Sequence, residues 1–181
     1  MNRRAFITLL GGAAAWPLPA RAQQVPVIGF LRTAEAAGSA HLVDAFRQGL
    51  GEVGFVEGRN VVIEYRWADD RHGRLDELAA DLVRRGVAAI VGNSRSVRAA
   101  MAATSATPLI FVVGNDPVRT GLVDTLNRPG GNVTGVTFTT LGASAMIAAA
   151  ESATRAFAKA GNRSKRPSAE RYLIARLRPS T

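Results

Sequence analysis

Apolar residues along this chain alternate between short continuous runs and longer segments in which they recur every three or four positions. The short runs are rich in β-branched and aromatic residues, which predicts strands at residues 25–31, 61–67, 87–91 and 109–113. Helical spacing joins two further sets, which are Leu42, Phe46, Leu50 and Val53, and then Leu75, Leu78, Leu82 and Val83. Strands alternating with helices predict an α/β fold built on a doubly wound parallel sheet.

Polar residues and glycines predict where the helices begin and end. Ser39 is placed to cap the first helix, and either Ser94 or Ser96 is placed to cap a third. The second helix, predicted over residues 74–85, carries acidic residues early and is stopped by Gly86.

The strand predicted at residues 61–67 alternates in its second half, with Glu64 and Arg66 on one face. That pattern indicates a strand near solvent, as at the edge of a sheet. Tyr65 and Trp67 of the same strand could stack on an aromatic ligand, but packing against the core is the favoured interpretation.

Short polar loops follow three of the predicted strands. The run at 109–113 is apolar throughout, which predicts a strand buried on both faces, and the Gly-Asn-Asp-Pro at 114–117 must turn the chain beyond it. The carboxyl ends of parallel strands share one edge of the sheet, where open α/β sheets bind ligands. The three loops expected to meet there are Arg32-Thr33, Asn93-Ser94 and Asn115-Asp116.

The hydroxyl and amide groups of these loops, together with helix N-terminal N–H groups, suit the carboxylate of a small zwitterion. Asp116 could then pair with the ammonium group. For each residue alone, a role as turn former, cap or loop hydroxyl is at least as well supported, so the case rests on their shared edge. The candidate ligand-binding residues are Thr33, Asn93, Ser94, Asn115 and Asp116.

The sequence around the last loop resembles a known family. Asn-Asp-Pro-Val at 115–118, Gly-Leu-Val at 121–123 and Pro-Gly-Gly-Asn-Val-Thr-Gly-Val at 129–136 match bacterial substrate-binding proteins of ABC importers in order and spacing. The likeness extends back over residues 25–30 and 54–61, and it points to the subgroup that includes tryptophan-binding proteins.

This resemblance implies one periplasmic-binding-protein-like lobe. Members of the family hold a small solute between two such lobes, which close over it by a hinge. It also implies an amino acid as the solute and an ABC permease of the inner membrane as the partner. No cofactor is implied.

The first residues are typical of an export signal. Residues 1–22 begin with Arg3 and Arg4 and end in a small-residue cleavage site at Ala20 and Ala22, so the mature protein is expected in the periplasm. The paired arginines favour a twin-arginine signal over a general secretory one.

Charge and composition argue against other classes. The chain carries a net charge of +9, but residues 23–141 hold 12 arginines and 12 acidic residues, which leaves no basic excess for a nucleic acid. There is no cysteine, and His41 and His72 lack the spacing of a metal site. No catalytic or phosphate-binding motif occurs, so the chain is not expected to be an enzyme.

Composition changes abruptly after about residue 141. Residues 142–181 are rich in alanine and then basic, which predicts a helical or disordered basic tail, as in a truncated or frameshifted product. A natural one-lobe variant is the alternative.

The leading hypothesis is therefore the periplasmic substrate-binding component of an ABC importer, or a remnant of one. A periplasmic sensory or scaffolding lobe that binds a protein partner is the second hypothesis.

Overall fold

The computed structural model describes residues 25–126, 130–138, 146–152 and 154–155. Five strands and three longer helices alternate within these residues. They are β1 (Val27–Arg32), α1 (Ala40–Glu52), β2 (Val62–Trp67), α2 (Leu75–Arg84), β3 (Ala89–Gly92), α3 (Ser94–Ala103), β4 (Leu109–Val113) and β5 (Val133–Thr137). Residues 146–152 and 154–155 are also helical, and they are called the C-terminal segment below.

All strand pairs are parallel, in the order β2-β1-β3-β4-β5. The chain leaves β1 to form β2 on one side and returns to form β3 on the other, so the order reverses at β1. This confirms the prediction of one α/β lobe with a doubly wound parallel sheet. In such sheets the crevice beyond the carboxyl ends of the strands at the reversal is the usual place for a ligand.

Successive side chains of each strand point to opposite faces, and each face has its own core. Phe30 and Val112 lie in the core beneath α1, together with Phe46 and Leu50 of that helix. Leu31 and Phe111 lie in the second core, which α2 and α3 cover with side chains that include Leu82, Val97 and Ala100. The predicted burial of β4 on both faces is confirmed, since all five of its residues are buried.

The C-terminal segment belongs to the first core. Met146, Ala149 and Ala150 are buried with α1 against the sheet. A Cβ atom added to Gly49 of α1 would lie 2.6 Å from Ile147 Cα, so glycine permits this close approach. The packing of the lobe therefore continues past residue 141, where the sequence predicted its end. Residues 161–181, the basic part of the predicted tail, lie outside the described residues.

The prediction of an edge position for residues 61–67 is confirmed, since β2 is the outermost strand on its side. Arg66 donates through Nη2 to Glu64 Oε2 and to Asp81 Oδ2 of α2, each at 2.8 Å. The hydrogen bond from Arg66, and further the charge of Arg85, hold the pKa of Asp81 below its ordinary value. These ion pairs join α2 to the exposed edge.

Packing is also the observed role of the two aromatic residues of β2. Tyr65 and Trp67 are stacked with ring centroids 6.1 Å apart and rest against Phe30 of β1, at 5.7 and 5.8 Å.

The capping prediction for α1 holds for the position only, and the one for α3 is wrong. Ser39 occupies the N-cap position of α1, but it is the last residue of a short 3-10 turn (Ala37–Ser39) and its side chain makes no capping hydrogen bond. Neither Ser94 nor Ser96 caps α3, because Asn93 does so.

Candidate functional site

Three of the predicted loops converge at the carboxyl edge of the sheet, around the strand at which the order reverses. Arg32 ends β1, Asn93 follows β3, and Gly114 and Asn115 follow β4, the next strand along. Gly92 lets the start of α3 approach this edge, since a Cβ atom there would lie 2.8 Å from both Leu31 O and Ser96 Cβ.

Asn93 holds two of these elements together. Its Oδ1 accepts from the backbone N–H of Ser96 at 3.0 Å, which caps α3. Its Nδ2 donates to Thr33 Oγ1 at 2.8 Å, which ties the loop after β1 to the one after β3. One side chain thus fixes both the start of the helix and the position of Thr33.

Ser94 makes the corresponding link toward β4. Its Oγ donates to Asn115 Oδ1 at 3.2 Å. Four of the five predicted residues are therefore brought together as two hydrogen-bonded pairs along one edge.

Asp116 is placed differently. Its Oδ1 accepts from the backbone N–H groups of Val118 at 2.9 Å and Arg119 at 3.4 Å, and its carbonyl accepts from Thr120 Oγ1 at 3.0 Å. This is the hydrogen bonding of a turn-forming aspartate. Asp116 lines neither of the two depressions described next.

Two adjoining depressions lie at this edge and share Asn93, Ser94 and Asn115. The more enclosed one is a cavity of about 170 Å³, called the edge cavity below. Its apolar wall includes Leu42, Val112 and Met146, which belong to the first core, and Phe138, which packs against that core. The second is more open, measures about 460 Å³ and adds Thr33, Asp70, His72 and Arg95.

Arg32 also lines the edge cavity. Its Nε atom is buried and has no hydrogen-bond partner among the described residues. Burial lowers the pKa of its guanidinium from the ordinary value, because desolvation disfavours the charged form. The sequence placed Arg32 in a polar loop without marking it as a ligand-binding residue, since nothing in the sequence tells an unpaired arginine from a paired one.

Within the described residues, no group of three or more histidines or carboxylates could hold a metal ion. His72 instead has its Nδ1 2.9 Å from the carbonyl oxygen of Asp70. No helix in the same part of the chain is long and apolar enough to span a membrane.

A sequence profile of the family described as ABC transporter substrate binding protein matches residues 27–148. The chain belongs to this family. The resemblance found in the sequence is thereby confirmed, and the family is one of solute-binding proteins rather than enzymes.

Relatives of this family member include a tyrosine-binding protein of Clostridioides difficile (strain R20291), which is 34% identical over 91 residues. A solved structure of a ligand-free, open substrate-binding protein with adhesive properties from Clostridium difficile is 29% identical, with a TM-score of 0.58. An ABC domain in complex with L-Trp from Streptococcus pneumonia is 27% identical, with a TM-score of 0.57.

These matches cover only part of each relative. The alignment with the tyrosine-binding protein takes in 50% of this chain and 26% of the relative. The two structures match over 62% of this chain and over 39% and 38% of their own chains. This partial coverage fits a single lobe.

Proposed function

We propose that this protein is a substrate-binding component of an ABC importer for an amino acid, which binds at the carboxyl edge of the sheet. The observation that carries the proposal is the convergence of the Thr33–Asn93 and Ser94–Asn115 pairs at the reversal of strand order, in a chain of this family. An amino acid is supported by two relatives, of which one is a tyrosine-binding protein and the other is in complex with L-Trp.

The size and lining of the edge cavity favour a ligand with a large apolar side chain. An apolar cavity of about 150 Å³ accommodates benzene, and the edge cavity measures about 170 Å³. Its apolar wall faces a polar rim formed by Asn93, Ser94 and Asn115. One aromatic ring or a branched aliphatic group would fit against the wall, while the α-carbon substituents meet the rim.

Titration of the uniformly ¹⁵N-labelled full chain with L-tryptophan, L-tyrosine and L-leucine tests this function by NMR. Amide signals at residues 33, 93–94 and 115–116 should shift together and saturate, while those of α2 stay unchanged. The described lobe provides one wall, so a ligand keeps much of its surface in water and a Kd nearer ~1 mM than ~1 μM is expected. If no amino acid at ~10 mM moves these signals, the amino-acid proposal is refuted.

Asp116 remains our proposed partner for the ammonium group, beside its observed place in the turn. Asp116→Asn keeps an acceptor for the N–H groups of Val118 and Arg119 but removes the negative charge. The variant should bind amino acids at least about threefold more weakly in the same titration. Binding equal to the parent's would show that Asp116 is a turn residue and no more.

We also propose that the protein is exported to the periplasm and delivers its solute to an ABC permease. Residues 1–22, which carry the expected export signal, lie outside the described residues. The proposal is supported by the family, because importers take their solutes from outside the inner membrane.

A further inference from the structure

We infer that Arg32 binds the carboxylate of the solute in the edge cavity. This inference rests on the proposed function, because it names the group that would hold one end of the ligand. It concerns a residue outside the set that the sequence singled out.

Arg32 stands where a ligand at this edge would lie. It is the last residue of β1, the strand at which the sheet order reverses, and it is paired with Trp67 of β2. It lines the edge cavity together with Asn93, Ser94 and Asn115, and none of the described residues that line that cavity is a carboxylate. The lining therefore offers a cation and neutral hydrogen-bonding groups, with no anion to compete for the guanidinium.

The pairing of the other described arginines sets Arg32 apart. Arg66 and Arg74 are half-buried like Arg32, and each has a carboxylate partner at 2.8 Å. The described arginines without a salt bridge, apart from Arg32, are exposed to solvent; they are Arg59, Arg71, Arg95, Arg98 and Arg119. Arg32 alone among these residues combines partial burial with the lack of an ion pair.

An unpaired charge held partly away from water is unfavourable unless a partner of opposite charge is supplied. Burial also lowers the pKa of this guanidinium, because the loss of solvation disfavours its charged form. A carboxylate from the ligand would accept from the guanidinium in the bidentate geometry that arginine favours. The unsatisfied Nε–H would then gain an acceptor.

The groups around Arg32 can complete the site. Asn115 accepts from Ser94 through Oδ1, so its Nδ2 is left to donate to a ligand oxygen. Asn93 and Ser94 stand at the start of α3, where the first N–H groups of a ten-residue helix favour an anion. These groups supplement the guanidinium, and the assignment of a carboxylate rests on Arg32.

The test uses ligands that differ in one group and follows the Nε–H signal of Arg32 by ¹⁵N NMR in the full chain. L-Tryptophan carries both charges, L-tryptophanamide lacks the carboxylate, and indole-3-propionate lacks the ammonium. Tryptophan and indole-3-propionate should both shift the Arg32 Nε–H signal to saturation. Tryptophanamide should bind about tenfold or more weakly than tryptophan, since a hydrogen-bonded charge pair is lost.

Three variants locate the effect. Arg32→Met should weaken tryptophan binding about tenfold or more and leave the affinity for tryptophanamide within about twofold. Arg32→Lys keeps the charge without the planar fork and should fall between Arg32→Met and the parent. Arg119→Met removes an exposed arginine whose side chain lines neither depression, so the affinity of this variant should equal the parent's.

The outcomes separate this inference from the proposed function. Tryptophan could shift the loop amides while the Arg32 Nε–H signal stays unchanged and Arg32→Met binds tryptophan as tightly as the parent. In that case Arg32 is not the carboxylate site and the proposed function stands. If indole-3-propionate engages Arg32 while no amino acid binds, the carboxylate site stands and the proposed function fails. If no carboxylate moves the Nε–H signal, or inorganic phosphate alone moves it, the inference is overturned. Should Arg32→Met fail to fold, the comparison of tryptophan with its amide in the parent decides.

Discussion

At the scale of single residues, the edge of the sheet holds side chains of two kinds. Thr33, Asn93, Ser94 and Asn115 satisfy one another through hydrogen bonds, so the lobe holds their geometry before any ligand arrives. The Nε–H of Arg32 has no such partner in the part of the chain that the structure describes. A charged group without an internal partner is available to bind a ligand, but it lowers the stability of the folded lobe.

Replacing Arg32 by methionine should therefore raise stability. The change removes an unpaired, partly buried charge and keeps most of the side-chain volume, so the free energy of unfolding should rise by about 1 kcal/mol. Urea unfolding followed by circular dichroism measures it, with Arg119→Met as the control for loss of an exposed charge. A fall of about 1 kcal/mol in Arg32→Met would mean that the alkyl part of the arginine contributes more by packing than its charge takes away.

Tyr65 should make stability depend on alkaline pH. Burial, and then the charge of Glu57, raise the pKa of its phenol to about 12, whereas the phenol of an unfolded chain ionises near pH 10. Between these values the folded state keeps a proton that the unfolded state has lost, so the free energy of unfolding falls as pH rises through this window. Tyr65→Phe should flatten that fall in urea unfolding between pH 9 and pH 12.

Tyr172→Phe serves as the matched variant, because it removes the other tyrosine of the chain. If the fall in unfolding free energy with pH persists in Tyr65→Phe and disappears in Tyr172→Phe, the titrating group is Tyr172 and the assignment to Tyr65 is wrong.

At the scale of elements, α3 and the loops beside it depend on one amide. Asn93 caps the helix through Oδ1 and holds the β1 loop through Nδ2. Asn93→Ala should lower the free energy of unfolding by about 1–2 kcal/mol, because both interactions are lost. Asn93→Asp keeps the capping acceptor and should lose less. Equal losses in the two variants, measured by urea unfolding, would mean that the cap contributes nothing.

The elements themselves could be predicted from the sequence, because their apolar periodicity is local. The strand predicted at 109–113 is observed with the same bounds, and the helix predicted at 74–85 is α2 with one residue fewer at each end. The capping residues were harder to predict from the sequence. In Gly-Asn-Ser-Arg-Ser at 92–96, asparagine and serine are equally good caps, and only the three-dimensional start of α3 selects Asn93.

The candidate site also has a part that the sequence could predict and a part that it could not. The convergence of the loops at residues 33, 93–94 and 115 followed from the rule that parallel strands share one carboxyl edge. The same rule placed Arg32 at this edge but could not mark it as a binding residue. Its distinction is the lack of a partner, which depends on where Glu64, Asp81 and every other carboxylate come to lie in the fold.

At the scale of the whole molecule, the described residues form one lobe, and the proposed binding edge lies at the carboxyl ends of its strands. The two relatives with a named amino-acid ligand extend well beyond the matched part, since only 26% of the tyrosine-binding protein and 38% of the chain in complex with L-Trp are covered. Transport by this protein therefore stays a proposal, because it involves more than the described lobe.

The route of export provides a test at this scale. Replacing Arg3 and Arg4 together by lysine should abolish periplasmic accumulation if the signal is of the twin-arginine type, whereas a general secretory signal accepts lysine. Immunoblots of periplasmic and cytoplasmic fractions, with a general secretory protein as the control, measure the effect. Unchanged periplasmic accumulation of the Lys-Lys variant would contradict the twin-arginine choice.

The contact between Gly49 and Ile147 also bears on the order in which parts of the lobe fold. Leu42 and Met146 both line the edge cavity, although 104 positions separate them in the chain. Every strand pairing is parallel as well, and contacts between distant parts of a chain form slowly because loop closure must precede them. The cavity is thus expected to be among the last features to form during folding. A nascent chain would expose its unfinished apolar wall until the C-terminal segment docks on α1, and this interval is when chaperones and proteases compete for it.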